Sequence, residues 1–167
     1  MTDLPLAQIL HRTGHWSGDA ATVTLDYDAR FLRRKRLIAD DGTAFVVDLA
    51  QTTSLNPGDA LELDNGTMVQ IAAAEEPVLI VTGPDLARLA WHIGNRHTPC
   101  QIEAERLLIQ RDPVIAHMLE HLDATVTEGT EPFTPEGGAY GHGRTHAHDH
   151  GHSAHDHTHS HGHDHAH

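Results

Sequence analysis

The fold is decided by residues 78–133, which read VLIVTGPDLARLAWHIGNRHTPCQIEAERLLIQRDPVIAHMLEHLDATVTEGTEPF. The apolar run VLIV at the start is typical of a buried strand, and DLARLAWHIGN has apolar residues at helical spacing, at Leu86, Leu89, Ala90 and Ile93. CQIEAERLLIQ has the composition of strands. These residues predict a strand, a helix and then further strands.

The second half of this stretch repeats the pattern. Asp112 is suited to a helix N-cap and Pro113 to the first helical position, so PVIAHMLEHLDA predicts a second helix. ATVTEGTEPF then predicts a last strand. The order β-α-β-β-α-β is the ferredoxin-like arrangement.

The residues that precede this stretch predict an all-β structure. The runs VTLDYDARFL, RLIADDGTAFVVDLA and LNPGDALELDNGTMVQIAAA are β-like, and their Asp-Gly and Asn-Gly pairs suit tight hairpins. The character changes near Glu76. We therefore predict an α+β protein with a β-rich N-terminal domain (1–75), a ferredoxin-like domain (76–135) and a C-terminal tail (136–167).

Composition excludes several classes of function. The formal net charge is −13 and Lys35 is the only lysine, so nucleic acid is not an expected partner. The basic run Arg33–Arg36 lies in a strand-like segment, which favours a solvated strand. A single cysteine, Cys100, excludes an internal disulfide. With no signal-peptide pattern and no membrane-length apolar run, we expect a cytoplasmic protein without membrane contact.

The C-terminal tail is rich in histidine and has too few large apolar residues to form a core, which predicts disorder without metal. Neutral imidazoles at H-x-H spacing bind nickel, copper, zinc and cobalt, and the tail has room for about three to six ions. Composition does not select the metal, because copper exceeds nickel and zinc in general affinity. The predicted tail ligands are His142, His146, His148, His150, His152, His155, His157, His159, His161, His163, His165 and His167.

The sequence HMLEH, residues 117–121, matches the H-x-x-E-H pattern of inverzincin metallopeptidases. Such a peptidase needs a third ligand and a larger fold, so a solvated or auxiliary metal-binding pair, His117 and His121, is favoured. This pair lies opposite the predicted apolar face of the helix. That face consists of Val114, Ile115, Met118, Leu119 and Leu122.

Other candidate ligands have ordinary structural explanations. His11 and His15 are predicted to be loop or helix-end residues. Cys100 is predicted to be a small buried hydrophobe, and His92 a packing or supporting residue rather than a ligand.

The stretch LAWHIGNRHTPCQI (Leu89–Ile102), the later EPFTPEGGAYGH (Glu131–His142) and the histidine-rich end together resemble the urease accessory nickel metallochaperones. The resemblance covers essentially the whole chain. It implies an N-terminal peptide-binding β domain, a ferredoxin-like metal-binding domain and a variable tail. It also implies that His97 is the essential Ni²⁺ ligand at a homodimer interface, facing the same residue of the other subunit.

The residues agree with this implication. Gly94 and Asn95 suit a left-handed helix cap and Pro99 prevents the helix from continuing, which predicts that His97 lies on an exposed turn. A two-fold contact then brings two imidazoles together. The segment IQRDP (109–113) lacks the additional histidines that some members carry there, so we expect the tail to recruit more of the metal.

Three functions remain open on the sequence. The first, which the resemblance implies, is a non-enzymatic chaperone that passes Ni²⁺ from the tail to a His97 pair and on to apo-urease within a complex of accessory proteins that includes a GTPase. No P-loop is present, so nucleotide hydrolysis belongs to a partner. The second is a general store or buffer for nickel, zinc or copper. The third is a peptidase built on HMLEH. For either metal function, capture is predicted to fade below a pH of about 6.5.

Overall fold

A computed structural model describes residues 3–137 of the chain. The strands fall into two sheets with two separate apolar cores, and the two α-helices both belong to the second half. This α+β composition confirms the predicted fold class. The predicted limits of the three domains stay a prediction, and the tail lies outside the described residues.

The first sheet has six strands in the order β2-β6-β5-β1-β4-β3. Its pairs β1–β4 and β2–β6 are parallel, and the other three are antiparallel. The strands are β1 Leu6–His11, β2 Ala21–Leu25, β3 Phe31–Ile38, β4 Ala44–Ser54, β5 Ala60–Leu63 and β6 Met68–Ala73.

Both predicted hairpins of this sheet are confirmed. Gly42 in the Asp-Asp-Gly turn has φ 91° and Gly66 in the Asp-Asn-Gly turn has φ 86°. Positive φ at these positions matches the twist of the flanking strands. The run Arg33–Arg36 lies on the edge strand β3 with all four residues exposed, as the solvated-strand interpretation predicts.

Two expectations for the first half were wrong. The stretch Val23–Leu32 is not one strand, because a 3-10 turn at Asp28–Arg30 separates β2 from β3. His11 is not a loop or helix-end residue; it is the last residue of β1, opposite Ala60 of β5. β1 pairs with strands far along the chain, so local sequence gave little sign of it. His15 does lie in a turn, where its N–H donates to the Arg12 carbonyl.

The second sheet has the strand order β10-β7-β9-β8, and all of its pairs are antiparallel. Along the chain the elements follow the predicted order β-α-β-β-α-β. They are β7 Glu75–Thr82, α1 Leu86–Asn95, β8 Gln101–Ile102, β9 Leu107–Gln110, α2 Pro113–His121 and β10 Thr125–Pro132.

The directions of these strands fix the directions of the helices. β8 runs parallel to β7, because both are antiparallel to β9, and α1 joins these two strands by running back between them. β9 and β10 run the other way, so α2 is antiparallel to α1. The C-terminus of α1 and the end of β10 therefore lie at one end of this half, and the C-terminus of α2 lies at the other.

A small cluster joins the two halves. Val78, Leu108 and Phe133 are buried together, and the ring of Tyr27 meets that of Phe133 edge-on at 5.4 Å. Arg30 is 2% exposed and donates hydrogen bonds to the carbonyl oxygens of Leu25 and Phe133. A buried guanidinium thus ties the first sheet to the residues that follow β10.

None of the helices within residues 3–137 is long and apolar enough to cross a lipid bilayer.

Candidate metal site

Helix α1 carries the candidate site at its C-terminal end. Its start is fixed by Asp85, whose carboxylate accepts a hydrogen bond of 3.1 Å from the Arg88 N–H. Leu89 and Ile93 are buried against the second sheet, and burial of such side chains stabilises by about 1.5–3 kcal/mol each. The end of the helix is therefore held in place by its own core residues.

His97 occupies the left-handed position after the helix, with φ 56°. Its N–H donates to the Gly94 carbonyl at 3.0 Å, and the N–H of Thr98 reaches back to the Ile93 carbonyl at 3.3 Å. This pair of bonds is the Schellman arrangement, in which the residue at the left-handed position is usually glycine. His97 holds a conformation that costs an L-residue roughly 1–2 kcal/mol.

This geometry corrects the predicted cap. We expected Gly94 and Asn95 to supply the left-handed residue, but both belong to the helix, and Arg96 is the C-cap. The helix extends through Asn95, and the hydrogen bond from Thr98 to the carbonyl of the buried Ile93 closes it. The prediction that His97 lies on a turn after the helix and is exposed is correct.

The turn leads into Cys100, which is half-buried and packs on the core of the second sheet. Burial, with a smaller contribution from the negative charge of Glu136, raises the pKa of the Cys100 thiol to about 11. Metal binding by cysteine requires the thiolate. The geometry therefore favours the packing role predicted for Cys100 over a ligand role.

The residues that precede the tail are fastened beside this turn. The N–H of Thr134 donates to the side-chain oxygen of Gln101 at 2.8 Å, and the N–H of Glu136 donates to the Cys100 carbonyl at 2.9 Å. Earlier in the same segment, Glu131 forms a two-pronged ion pair with Arg106, both N···O distances being 2.7 Å. The chain is thus held at Glu136 beside Cys100, three residues after His97.

Sequence reasoning missed the residues that make this attachment. Gln101 and Thr134 carry no pattern that marks them, because their contact joins positions far apart in the chain. The residues EPF end the predicted last strand, and only the family resemblance marks the TPEGG that follows them.

The other histidines of the described residues lie away from this turn or pack beside it. His92 is partly buried and its ring meets that of Trp91 edge-on at 4.9 Å, in agreement with a packing role. His11 Nε2 lies 3.9 Å from a carboxylate oxygen of Glu62 in the first half. His117 and His121 are both exposed on α2, as predicted.

No group of three or more His, Cys, Asp or Glu side chains within residues 3–137 is arranged to hold a metal ion. His97 is therefore an exposed imidazole that belongs to no such group within the described residues. The predicted tail ligands, His142 to His167, lie outside the described residues.

Two family models match the chain. Residues 6–74 match the N-terminal domain of the UreE urease accessory protein, and residues 76–167 match its C-terminal domain. The junction of the two matches falls where β6 ends and β7 begins.

Individual relatives are similar over most of their length. The urease accessory protein UreE of Ruegeria pomeroyi is 65% identical over 144 residues, which cover 86% of this chain and 97% of that protein. The UreE of Cereibacter sphaeroides is 62% identical over 87% of this chain and 80% of its own length. The UreE of Rhodobacter capsulatus is 58% identical over 79% of this chain and 84% of its own length.

Proposed function

Because the chain belongs to the UreE urease accessory protein family, we propose that it is a non-enzymatic metallochaperone that acts in urease maturation and delivers Ni²⁺ to apo-urease. The observation that carries the proposal is the conformation of His97. An exposed imidazole sits at a left-handed turn that glycine would occupy with less strain. Strain of this kind, held by a well-anchored helix, is typical of functional positions.

One imidazole is a poor site for Ni²⁺, so the proposal includes a homodimer. A two-fold contact at the end of α1 places the His97 side chains of two copies together, without any further sequence. Two large apolar side chains near this turn support such a contact, since Trp91 of α1 is 63% exposed and Ile102 of the edge strand β8 is 51% exposed. Burying them between two copies removes apolar surface from water.

Two imidazoles leave most of the coordination positions of Ni²⁺ open. A delivery protein needs such open positions, because the receiving site takes the metal by ligand exchange. In the proposed pathway the tail histidines collect the ion and pass it to the His97 pair. The attachment of Thr134 and Glu136 beside the turn supports this order, because the tail begins where the ion must arrive.

The partners in this proposal are apo-urease and an accessory GTPase. The sequence has no G-x-x-x-x-G-K-[ST] loop, so nucleotide hydrolysis is assigned to that partner.

The test is His97→Ala in the full chain, with His15→Ala as the matched control, since His15 is an exposed histidine in the first half. We expect His97→Ala to abolish urease activation in cells and to remove about one Ni²⁺ ion per dimer. The tail should still hold most of the bound metal. The control should activate urease like the parent chain.

The same experiment decides between delivery and storage. If His97→Ala leaves urease activation intact while deletion after Tyr140 abolishes it, the chain is a divalent-metal store and the proposal fails. If the chain were a peptidase, it would hydrolyse peptides when zinc is supplied, and Glu120→Gln would abolish that hydrolysis.

A further inference from the structure

Helix α2 presents a second pair of imidazoles, at the other end of the second half. His117 and His121 lie one helical turn apart, both are exposed, and their Nε2 atoms are 3.0 Å apart. Their rings meet edge-on with centroids 4.5 Å apart. The opposite face of the helix holds the buried Ile115 and Leu119, so the packing of α2 points this pair toward solvent.

We propose that His117 and His121 form a separate metal site, in which both imidazoles bind one divalent transition-metal ion and water completes the coordination. This site does not depend on the role proposed for His97 or on the tail.

The spacing of the two nitrogens fits a metal ion. With metal–nitrogen bonds of about 2.0–2.1 Å, two nitrogens 3.0 Å apart subtend roughly 90–97° at the ion. This is the angle between neighbouring ligands in square-planar and octahedral sites, the geometries of Cu²⁺ and Ni²⁺. The two Nε2 atoms share a hydrogen bond, so one of them carries a proton, and binding an ion requires both rings to hold their proton on Nδ1 instead. Because both side chains are exposed, this change of tautomer and small rotations turn the two Nε2 lone pairs toward one point.

The surroundings of the pair favour a cation. His121 is the last residue of α2, at the end of the helix where the aligned peptide dipoles leave partial negative charge. The exposed carboxylates of Glu120, directly before His121, and Asp123, two residues after it, add negative charge. An arriving ion therefore meets a negative potential before it meets the imidazoles.

The position of the pair separates it from the candidate site. Since α1 and α2 are antiparallel, His121 and His97 lie at opposite ends of the second half. An ion held by the α2 pair is thus held apart from the His97 turn. The pair is fixed in position by a packed helix.

The pair also differs from the peptidase site that HMLEH resembles. A catalytic zinc site has three protein ligands, and within residues 3–137 no third donor joins these two. With two protein ligands, the α2 pair is suited to binding an ion reversibly and not to peptide hydrolysis.

The experiment is an NMR titration of the full-length protein with Ni²⁺, followed through the backbone amide signals. Paramagnetic Ni²⁺ broadens the signals of nearby residues, so the tail, the His97 turn and α2 are read separately in one sample. We expect the signals of residues 114–124 to broaden once the tail is saturated. In the double variant His117→Gln, His121→Gln this broadening should be lost, and the exposed control His15→Gln should behave as the parent chain.

A single variant keeps the proposal testable if the double variant folds poorly. His121→Gln leaves one imidazole. We expect half-maximal broadening of the α2 signals to need at least roughly tenfold more Ni²⁺ than in the parent chain. The proposal is overturned if α2 stays sharp while residues 93–100 broaden. It is equally overturned if the broadening of α2 survives in the variants, since the tail would then be carrying the metal there.

Discussion

The N–H of Glu136 donates a hydrogen bond of 2.9 Å to the carbonyl oxygen of Cys100, three residues after His97. This bond, with the one from Thr134 to Gln101, sets the point from which the tail leaves the fold. In the proposed pathway, the ligand-rich tail that follows supplies metal to the His97 turn at high local concentration.

The first prediction concerns the tail. A chain that ends at Tyr140 lacks twelve of the 18 histidines, so it should bind several fewer Ni²⁺ ions per dimer in isothermal titration. Binding at the His97 turn should remain and become visible as a separate event. An unchanged nickel count would show that the tail does not recruit metal.

The second prediction separates stability from metal binding at His97. His97→Gly removes the strain of the left-handed position, so we expect the free energy of unfolding to rise by about 1 kcal/mol. His97→Ala keeps the strain and should leave stability nearly unchanged. Both variants lose the imidazole and should lose the same Ni²⁺ site. Urea unfolding and nickel titration of the two variants side by side check this, and a His97→Gly chain no more stable than His97→Ala would contradict the geometry.

The third prediction concerns the buried guanidinium of Arg30. Arg30→Met leaves the carbonyl groups of Leu25 and Phe133 without these donors, so we expect a loss of about 2–4 kcal/mol in the free energy of unfolding. The exposed Arg34 on β3 is the matched control, and Arg34→Ala should change stability by less than about 0.5 kcal/mol. Equal effects of the two substitutions would rule out the structural role of Arg30.

The fourth prediction is a pH dependence. The hydrogen bonds from Arg106 hold the pKa of Glu131 below its ordinary value. The pair therefore contributes stability above the pKa of an unfolded glutamate, about 4.3, and that contribution is lost as the pH falls through the lower pKa of the folded state.

Glu131→Gln removes this contribution at neutral pH. Unfolding curves at pH 7 and pH 3 should show a gap between Glu131→Gln and the parent chain that closes in acid. The exposed Glu105→Gln is the control and should show a smaller gap that changes less. A gap for Glu131→Gln that stays constant with pH would contradict the assignment.

The fifth prediction concerns Cys100. With its pKa raised to about 11, the thiol is almost entirely protonated at pH 8, so alkylation by iodoacetamide should be slower than in the unfolded chain by on the order of a hundredfold. Mass spectrometry of timed samples with and without urea measures the ratio. Fast alkylation of the folded protein would contradict the raised pKa of Cys100. A lower nickel count in Cys100→Ala would show that Cys100 binds metal.

Local signals in the sequence were enough for much of the fold. The Asp112 carboxylate accepts hydrogen bonds from the N–H groups of Val114 and Ile115, as an N-cap residue should, and Pro113 opens α2. The glycines of both hairpin turns have the expected positive φ. Val114 is the exception on the predicted apolar face of α2, since it is 68% exposed. A helix of two and a half turns covers only a narrow strip of the sheet, and Val114 lies at its edge.

The sequence by itself determined the order of elements in the second half, the turns of the first half and the place of His97 on an exposed turn after a helix, because each depends on residues close together in the chain. Tertiary structure alone decided the parallel pairing of β1 with β4, the left-handed conformation of His97 and the attachment of Thr134 and Glu136 beside it. These depend on hydrogen bonds whose partners are set by packing: the burial of Ile93 decides where α1 ends, and the pairing of β10 with β7 decides where the tail begins. The strand pairs and the attachment join residues far apart in the chain, and the burial of Ile93 depends on the second sheet, so no local pattern records them.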